Sequence, residues 1–105
     1  MENMEEVSFQ MIAAIGEARS KIMQAMDFAN EEDFELAQAS LNQAKEKLVV
    51  AHDSHFNIIQ QEASGKEVKL QLLFVHAEDQ LMTTSMLKDV AEQFVKVYQK
   101  MSKLN

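Results

Sequence analysis

The scarcity of helix-breaking residues constrains the fold of this chain more than any other sequence feature. Its 105 residues include no proline and only two glycines, Gly16 and Gly65. Proline and glycine interrupt helices most strongly, so the sequence predicts an all-α protein with few breaks. The length predicts one domain over residues 1–105, and the 47% of apolar residues is enough for its core.

Two breaks divide the chain into three predicted helices. At Asn30–Asp33, an asparagine suits a helix end, and the acids that follow suit the cap and first turn of the next helix. At Ser64–Lys66, Gly65 can take the left-handed conformation that ends a helix. We therefore expect helices over about 5–29, 32–63 and 67–103.

The second predicted helix carries a regular pattern that steps by three and four residues. Its members are Phe34, Ala37, Leu41, Ala44, Leu48, Ala51, His55, Ile58 and Glu62. This sustained period of about 3.5 residues predicts left-handed, coiled-coil-like packing. We expect His55 to be a partnered histidine of the seam between helices, and His52 beside it to be partly exposed. In the first helix, Gly16 costs about 1 kcal/mol relative to alanine, and we expect it to allow close approach of a neighbouring helix.

The third predicted helix carries two sets of apolar residues. One set, called here the third-helix stripe, is Leu72, Val75, Met82, Met86, Val90 and Phe94. The other set is Leu70, Phe74, Ala77, Leu81, Ala91, Val95 and Tyr98. Together they cover more of the helix circumference than one packing surface needs. The helix is therefore expected to contact both its own bundle and other subunits.

Asp79 interrupts the third-helix stripe between Val75 and Met82, and His76 lies one turn before it, about 60° around the axis. A carboxylate on a buried apolar face is costly unless it is paired. Three interpretations stay open. In the first, the two side chains pair with each other or with water. In the second, they bind a metal together with ligands from another helix or subunit. In the third, His76 is a nucleophile toward phosphorus or carbonyl carbon, and hydroxyl groups of residues 83–85 bind an oxyanion.

Charge and composition exclude several classes of function. The formal net charge of −7 argues against nucleic acid and anionic lipid, and favours a basic protein partner. The absence of cysteine excludes disulfides and thiolate metal sites, and fits a reducing compartment. The acidic start is unlike a signal peptide, and no apolar run approaches the roughly 20 residues that span a bilayer. We expect a cytoplasmic protein that does not insert into a membrane.

The segment Val75–Thr84, VHAEDQLMTT, resembles the active-site segment of a family of enzyme IIA proteins. This is the lactose/cellobiose/N,N'-diacetylchitobiose family of the bacterial phosphoenolpyruvate-dependent sugar phosphotransferase system. Four further blocks extend the resemblance from about residue 7 to residue 101: Gly16–Ser20, Ala51–His52, Glu62–Gly65 and Leu87–Asp89. The chain departs from many relatives at Gln80, where they have histidine, and at His55-Phe56, where they have Gln-Thr.

The resemblance implies an antiparallel up-down-up three-helix bundle that assembles as a homotrimer. It implies that His76 receives a phosphoryl group from the phosphocarrier protein HPr and passes it to a cysteine of the IIB component. This transfer would serve uptake and phosphorylation of a β-linked disaccharide of the cellobiose, diacetylchitobiose or lactose class. Asp79 would lie at the trimer axis, where three copies share one Mg²⁺. We expect Gln80 and Thr83 to be supporting groups.

A rival interpretation belongs to a different class of protein. Periodicity, acidity and the lack of cofactor motifs equally fit a helical oligomerisation or adaptor module without chemistry. A metal-dependent hydrolase fits less well, because the chain offers too few metal ligands.

Overall fold

The computed structural model describes residues 3–104, which form three long helices. Helix α1 spans Met4–Asn30, α2 spans Phe34–Ala63 and α3 spans Leu72–Ser102. They lie side by side in an up-down-up bundle 59 Å long. The expected all-α bundle is confirmed, and α1 and α2 begin and end within about two residues of their expected bounds. The sequence predicted that the acidic start is not a signal peptide. Part of that start lies outside the described residues, which begin at residue 3.

The core is formed by one buried face from each helix and is rich in alanine. Its α1 members are Val7, Met11, Ala14, Ile15, Ala18, Ile22, Ala25 and Ala29. Its α2 members are Ala37, Leu41, Ala44, Leu48, Ala51 and Ile58, and its α3 members are Phe74, Ala77, Leu81, Ala91 and Val95. The α2 members keep the spacing that the sequence predicted. Small residues at these positions let the helix backbones pack closely along the whole bundle.

Polar contacts on the surface show which positions of neighbouring helices lie side by side. Lys47 Nζ lies 2.8 Å from Glu17 Oε2, which joins α2 to α1. The hydrogen bond from this ammonium to Glu17, with the charge of that carboxylate, raises the pKa of Lys47 above its ordinary value. Lys45 Nζ lies 3.9 Å from Glu92 Oε1 and joins α2 to α3. Because the ions are largely solvated, these contacts indicate register more than they add stability.

The first connection is a tight turn of three residues. Helix α1 ends at Asn30 as expected, but the residue with left-handed backbone is Glu32, with φ of 65°. Asp33 then caps α2, because its Oδ1 accepts a hydrogen bond from the Leu36 N–H at 3.2 Å. The acidic residues therefore do supply the cap of α2, as the sequence predicted.

The second connection corrects the expected start of the third helix. Gly65 takes the left-handed conformation, with φ of 91°, as expected. The helix does not begin near Glu67, however; residues 66–71 are not helical, and α3 begins at Leu72. Val68 within this segment packs against the core. The segment therefore follows the end of the bundle from α2 to α3, and the helix begins only after it. An extended residue spans about 3.3 Å and a helical one about 1.5 Å, so extended backbone suits this crossing better.

The environment of Gly16 also differs from the expectation. Gly16 is exposed, and a Cβ atom built on it would meet nothing within 4 Å. The expectation that Gly16 allows close approach of a helix is therefore wrong for the helices of this chain. Within one copy, Gly16 lowers the stability of α1, and no packing contact offsets this loss.

We predict that Gly16→Ala stabilises the isolated bundle by about 1 kcal/mol, because alanine loses less backbone entropy in a helix and finds open space here. Urea unfolding of both proteins at equal concentration measures the change.

Gly65→Ala is the matched control. It places a side chain on left-handed backbone, so it should destabilise the protein by about 1 kcal/mol. A loss of stability in Gly16→Ala would mean that something outside the single chain occupies the space beside Gly16.

Candidate functional site

Helix α3 presents two apolar faces on nearly opposite sides. The core face is buried in the bundle. The third-helix stripe is exposed along its whole length, including Met82 at 64% and Met86 at 63%. Val97 and Met101 continue this exposed face toward the end of the helix. The predicted contact of α3 with its own bundle is thus confirmed, and contact with other subunits stays a prediction.

A shallow groove of about 350 Å³ contains both candidate residues, His76 and Asp79. Its other lining residues are Leu72, Val75, Glu78 and Met82. Both candidate side chains are exposed, and they lie on the first turns of α3, close to its N-terminus. The structure therefore brings together an accessible imidazole and a carboxylate beside it on an apolar surface.

The two predicted supporting residues lie near this groove but do not line it. The hydroxyl of Thr83 donates to the backbone carbonyls of Asp79 at 2.9 Å and Gln80 at 3.2 Å. Because its proton is used by the helix, this hydroxyl is not a free donor toward His76. Gln80 is half-buried. Supporting roles for Gln80 and Thr83 stay predictions.

His55 is a partnered residue of the seam between α2 and α3, as its position in the heptad pattern predicted. Its Nε2 lies 2.6 Å from Glu78 Oε2, and its ring stacks on Phe74 with 5.7 Å between centroids. His52 is exposed, and its Nε2 lies 3.4 Å from the Ser85 hydroxyl. Sequence reasoning missed Glu78 as the partner of His55. The heptad position of His55 indicates that its side chain faces α3, but it does not identify the residue of α3 that it contacts.

Within one copy, the described residues form no closed metal site. Among residues 3–104, no three His, Cys, Asp or Glu side chains lie close enough together to hold an ion. A metal-binding role for Asp79 stays a prediction. Over the same described range, no helix combines the length and apolar character needed to cross a membrane.

Comparison with known proteins decides the family. Residues 6–99 match the family model described as the lactose/cellobiose-specific IIA subunit of the phosphotransferase system. The chain belongs to this family. The matched range includes the whole groove around His76 and Asp79.

Individual members of the lactose/cellobiose IIA family support the assignment along the whole chain. The lichenan-specific phosphotransferase enzyme IIA component of Bacillus subtilis is 39% identical over 101 residues, covering 96% of this chain and 92% of that protein. The crystal structure of the cellobiose-specific enzyme IIA from Bacillus anthracis superposes with a TM-score of 0.94 at 33% identity, covering 100% of this chain and 96% of that one.

A third relative is described in complex with a partner. It is the chitobiose IIA protein of the Escherichia coli N,N'-diacetylchitobiose branch, whose solution structure contains HPr. It superposes with a TM-score of 0.77 at 26% identity, covering 97% of this chain and 99% of that one. The resemblance on which the sequence interpretation rested is thus confirmed at the level of the family and the fold.

Proposed function

We propose that this IIA protein is a phosphohistidine carrier in which His76 holds the phosphoryl group. The observation that supports this most strongly is the exposed imidazole of His76, in the segment that resembles the active-site segment of the family. The donor is phospho-HPr and the acceptor is a cysteine of the IIB component. A structure of a chitobiose IIA relative with HPr supports the choice of donor.

The transfer consists of two in-line displacements at phosphorus. In the first, a neutral ring nitrogen of His76 attacks the phosphoryl group of phospho-HPr, and the bond from phosphorus to the donor breaks. In the second, the IIB thiolate attacks the same phosphorus, and the imidazole leaves. Such transfers depend on position and charge more than on covalent help from other residues. An exposed His76 suits both steps, because two different partners must reach it.

The N-terminal end of α3 supplies favourable electrostatics for a phosphoryl group on His76. Side chains of a helix tilt toward its N-terminus, so the His76 ring lies over the first turn. The first turn of α3 contains no acidic residue, and its N-cap Gln71 makes no side-chain cap. By contrast, the first turns of α1 and α2 both contain glutamate and carry a side-chain cap. The positive end of the α3 dipole thus remains available to a phosphoryl group, while α1 and α2 compensate theirs.

The exposed apolar face of α3 supports assembly as a homotrimer. Monomeric proteins rarely expose a continuous apolar patch of this length. Three copies that join α3 to α3 would cover the third-helix stripe and bring three Asp79 carboxylates together. Three adjacent carboxylates repel one another unless a cation or protons neutralise them. Carboxylate oxygens suit Mg²⁺, so one Mg²⁺ held by Asp79 of three copies would neutralise this charge and act in assembly.

The names of relatives, rather than any residue of this chain, support a proposal for the sugar class. Named members of the family act in lactose and lichenan systems, and the cellobiose-specific protein shares the fold. We propose a system for a β-linked disaccharide of the cellobiose, diacetylchitobiose or lactose class, with the carrier working in the cytoplasm.

The carrier function predicts that the protein gains one phosphoryl group when it is incubated with phosphoenolpyruvate, enzyme I and HPr. The modification should be acid-labile and base-stable, as expected for a phosphorus–nitrogen bond. Mass spectrometry of the intact protein measures the gain, and His76→Ala should abolish it.

His52→Ala and His55→Ala are the controls for this experiment, because these two residues are the other histidines of the chain. Both variants should still be phosphorylated. If the wild-type protein gains no phosphoryl group, the carrier proposal fails and an adaptor without chemistry explains the family fold better.

The assembly proposal predicts that Asp79→Leu removes the need for metal. The wild-type trimer should dissociate when EDTA removes Mg²⁺, since the carboxylates then repel one another. The Asp79→Leu trimer should persist in EDTA, because leucine continues the third-helix stripe. Sedimentation equilibrium with and without EDTA measures the molar mass.

Asp53→Leu is the matched control, because Asp53 is an exposed carboxylate on α2, away from the stripe. This variant should remain as sensitive to EDTA as the wild type. Dissociation of Asp79→Leu into monomers would show that carboxylate repulsion does not govern assembly.

A further inference from the structure

Helix α3 has two edges that flank the third-helix stripe, and they carry different residues. Glu78, Ser85 and Glu92 are spaced by seven residues and all contact α2, so they lie on one edge. His76 precedes Glu78 by two residues, which places it about 200° around the helix axis, on the other edge. Both residues line the groove over the stripe, one from each side. Within one copy, the stripe therefore separates His76 from Glu78.

The proposed trimer brings these two edges together between copies. Threefold symmetry makes the three α3 helices parallel, and each closed threefold interface pairs unlike surfaces of the two copies. When Val75 and Asp79 are the d and a positions of the seam, His76 is at e and Glu78 at g. In parallel helices the e edge of one helix faces the g edge of the next. His76 of one copy thus faces Glu78 of the next copy, offset by about 3 Å along the axis.

The Glu78 carboxylate is held in place by one oxygen, and the other oxygen remains available. Its Oε2 lies 2.6 Å from His55 Nε2, and the His55 ring stacks on the core residue Phe74. Both partners are partly buried, with 24% of the His55 side chain and 33% of the Glu78 side chain exposed. Among residues 3–104, Glu78 Oε1 makes no hydrogen bond. A carboxylate that is fixed on α2 can therefore still accept a hydrogen bond from the neighbouring copy.

The His76 ring lacks such an acceptor in its own copy. The described residues of one copy offer it no hydrogen bond, unlike His52 and His55. Asp79 lies one turn away, but in the proposed trimer it is directed to the axis. The ring nitrogen that attacks phosphorus carries no proton, so the other nitrogen carries it, and a hydrogen bond at that nitrogen fixes the ring. The attack leaves a positive charge on the ring, which a carboxylate beside that nitrogen stabilises.

We propose that Glu78 of one copy completes the phosphoryl site of the next copy. It is a positioning residue that accepts a hydrogen bond from the protonated ring nitrogen of His76. The proposal rests on the carrier function of His76 and on the threefold assembly. In the transfer, the other ring nitrogen bonds to phosphorus while the bond from phosphorus to the donor breaks, and the proton stays on the ring. Each phosphoryl site is then built from two copies of the chain.

The first test compares homotrimers by the rate of phosphoryl transfer from phospho-HPr over a range of donor concentrations. Glu78→Ala should lower the limiting rate about tenfold, the size expected for the loss of one hydrogen bond to a charged group. The donor concentration for half-saturation should change less than about twofold, because the site is reached by the same surface. Glu92→Ala is the matched control. It removes a contact with α2 from the same edge, about 20 Å farther along α3, and should leave the rate unchanged.

Mixed trimers test whether Glu78 acts between copies. Glu78→Ala is unfolded in urea together with a large excess of His76→Ala, and the two are refolded with Mg²⁺. Most Glu78→Ala copies then have His76→Ala neighbours, which supply an intact Glu78 and accept no phosphoryl group themselves. The proposal predicts that the Glu78→Ala copies regain nearly the wild-type rate. Mass spectrometry of the intact proteins distinguishes the two chains and measures the gain.

A role of Glu78 within its own copy, electrostatic or structural, predicts no rescue, because the phosphorylated copy still lacks the glutamate. Mixed trimers as slow as Glu78→Ala alone would therefore overturn the proposal. A Glu78→Ala as fast as the wild type, a Glu92→Ala as slow as Glu78→Ala, or a monomeric wild type would also overturn it. In each of these cases, phosphorylation of the wild type at His76 would leave the carrier function standing. A wild type that is not phosphorylated would instead overturn the carrier function and this proposal together.

Discussion

The structure depends on a constraint on α3, which carries apolar residues on two nearly opposite faces. One face is buried against α1 and α2 and completes the core. The other, the third-helix stripe, cannot be buried by the same bundle and stays exposed in the single chain. Burial of apolar side chains is the main driving force of association, so this exposed face favours binding to a partner. His76 lies at the edge of that face, where it can remain accessible when the stripe is covered.

The sequence predicted the helices well because their signals are local. The absence of proline, the two glycines and the heptad pattern of α2 indicated three helices and the faces that pack together. The start of α3 was wrong by five residues, because the docking of Val68 on the core is a tertiary contact that local propensity does not contain. The role expected for Gly16 was wrong for a related reason. A glycine in a helix permits close approach, but only the packed structure shows whether a helix approaches.

The candidate site could be predicted only in part. Spacing placed Asp79 in line with the stripe and His76 beside it, and the structure puts both residues in one groove. Their chemistry was left open by the residues and came from the family resemblance, because a histidine beside an aspartate serves many functions. The partner of His55 was missed. Its contact with Glu78 joins residues on two helices, and a heptad position indicates a face without naming the residue that it meets.

The proposed assembly covers the third-helix stripe in the working protein, while His76 beside it stays accessible. Methyl NMR of the methionines, with a soluble paramagnetic agent, tests both halves in one sample. The account predicts that the methyl groups of Met82 and Met86 are protected, although both are more than half exposed in a single chain, and that the His76 ring protons broaden strongly. Strong broadening of Met82 and Met86, or protection of His76, would contradict it.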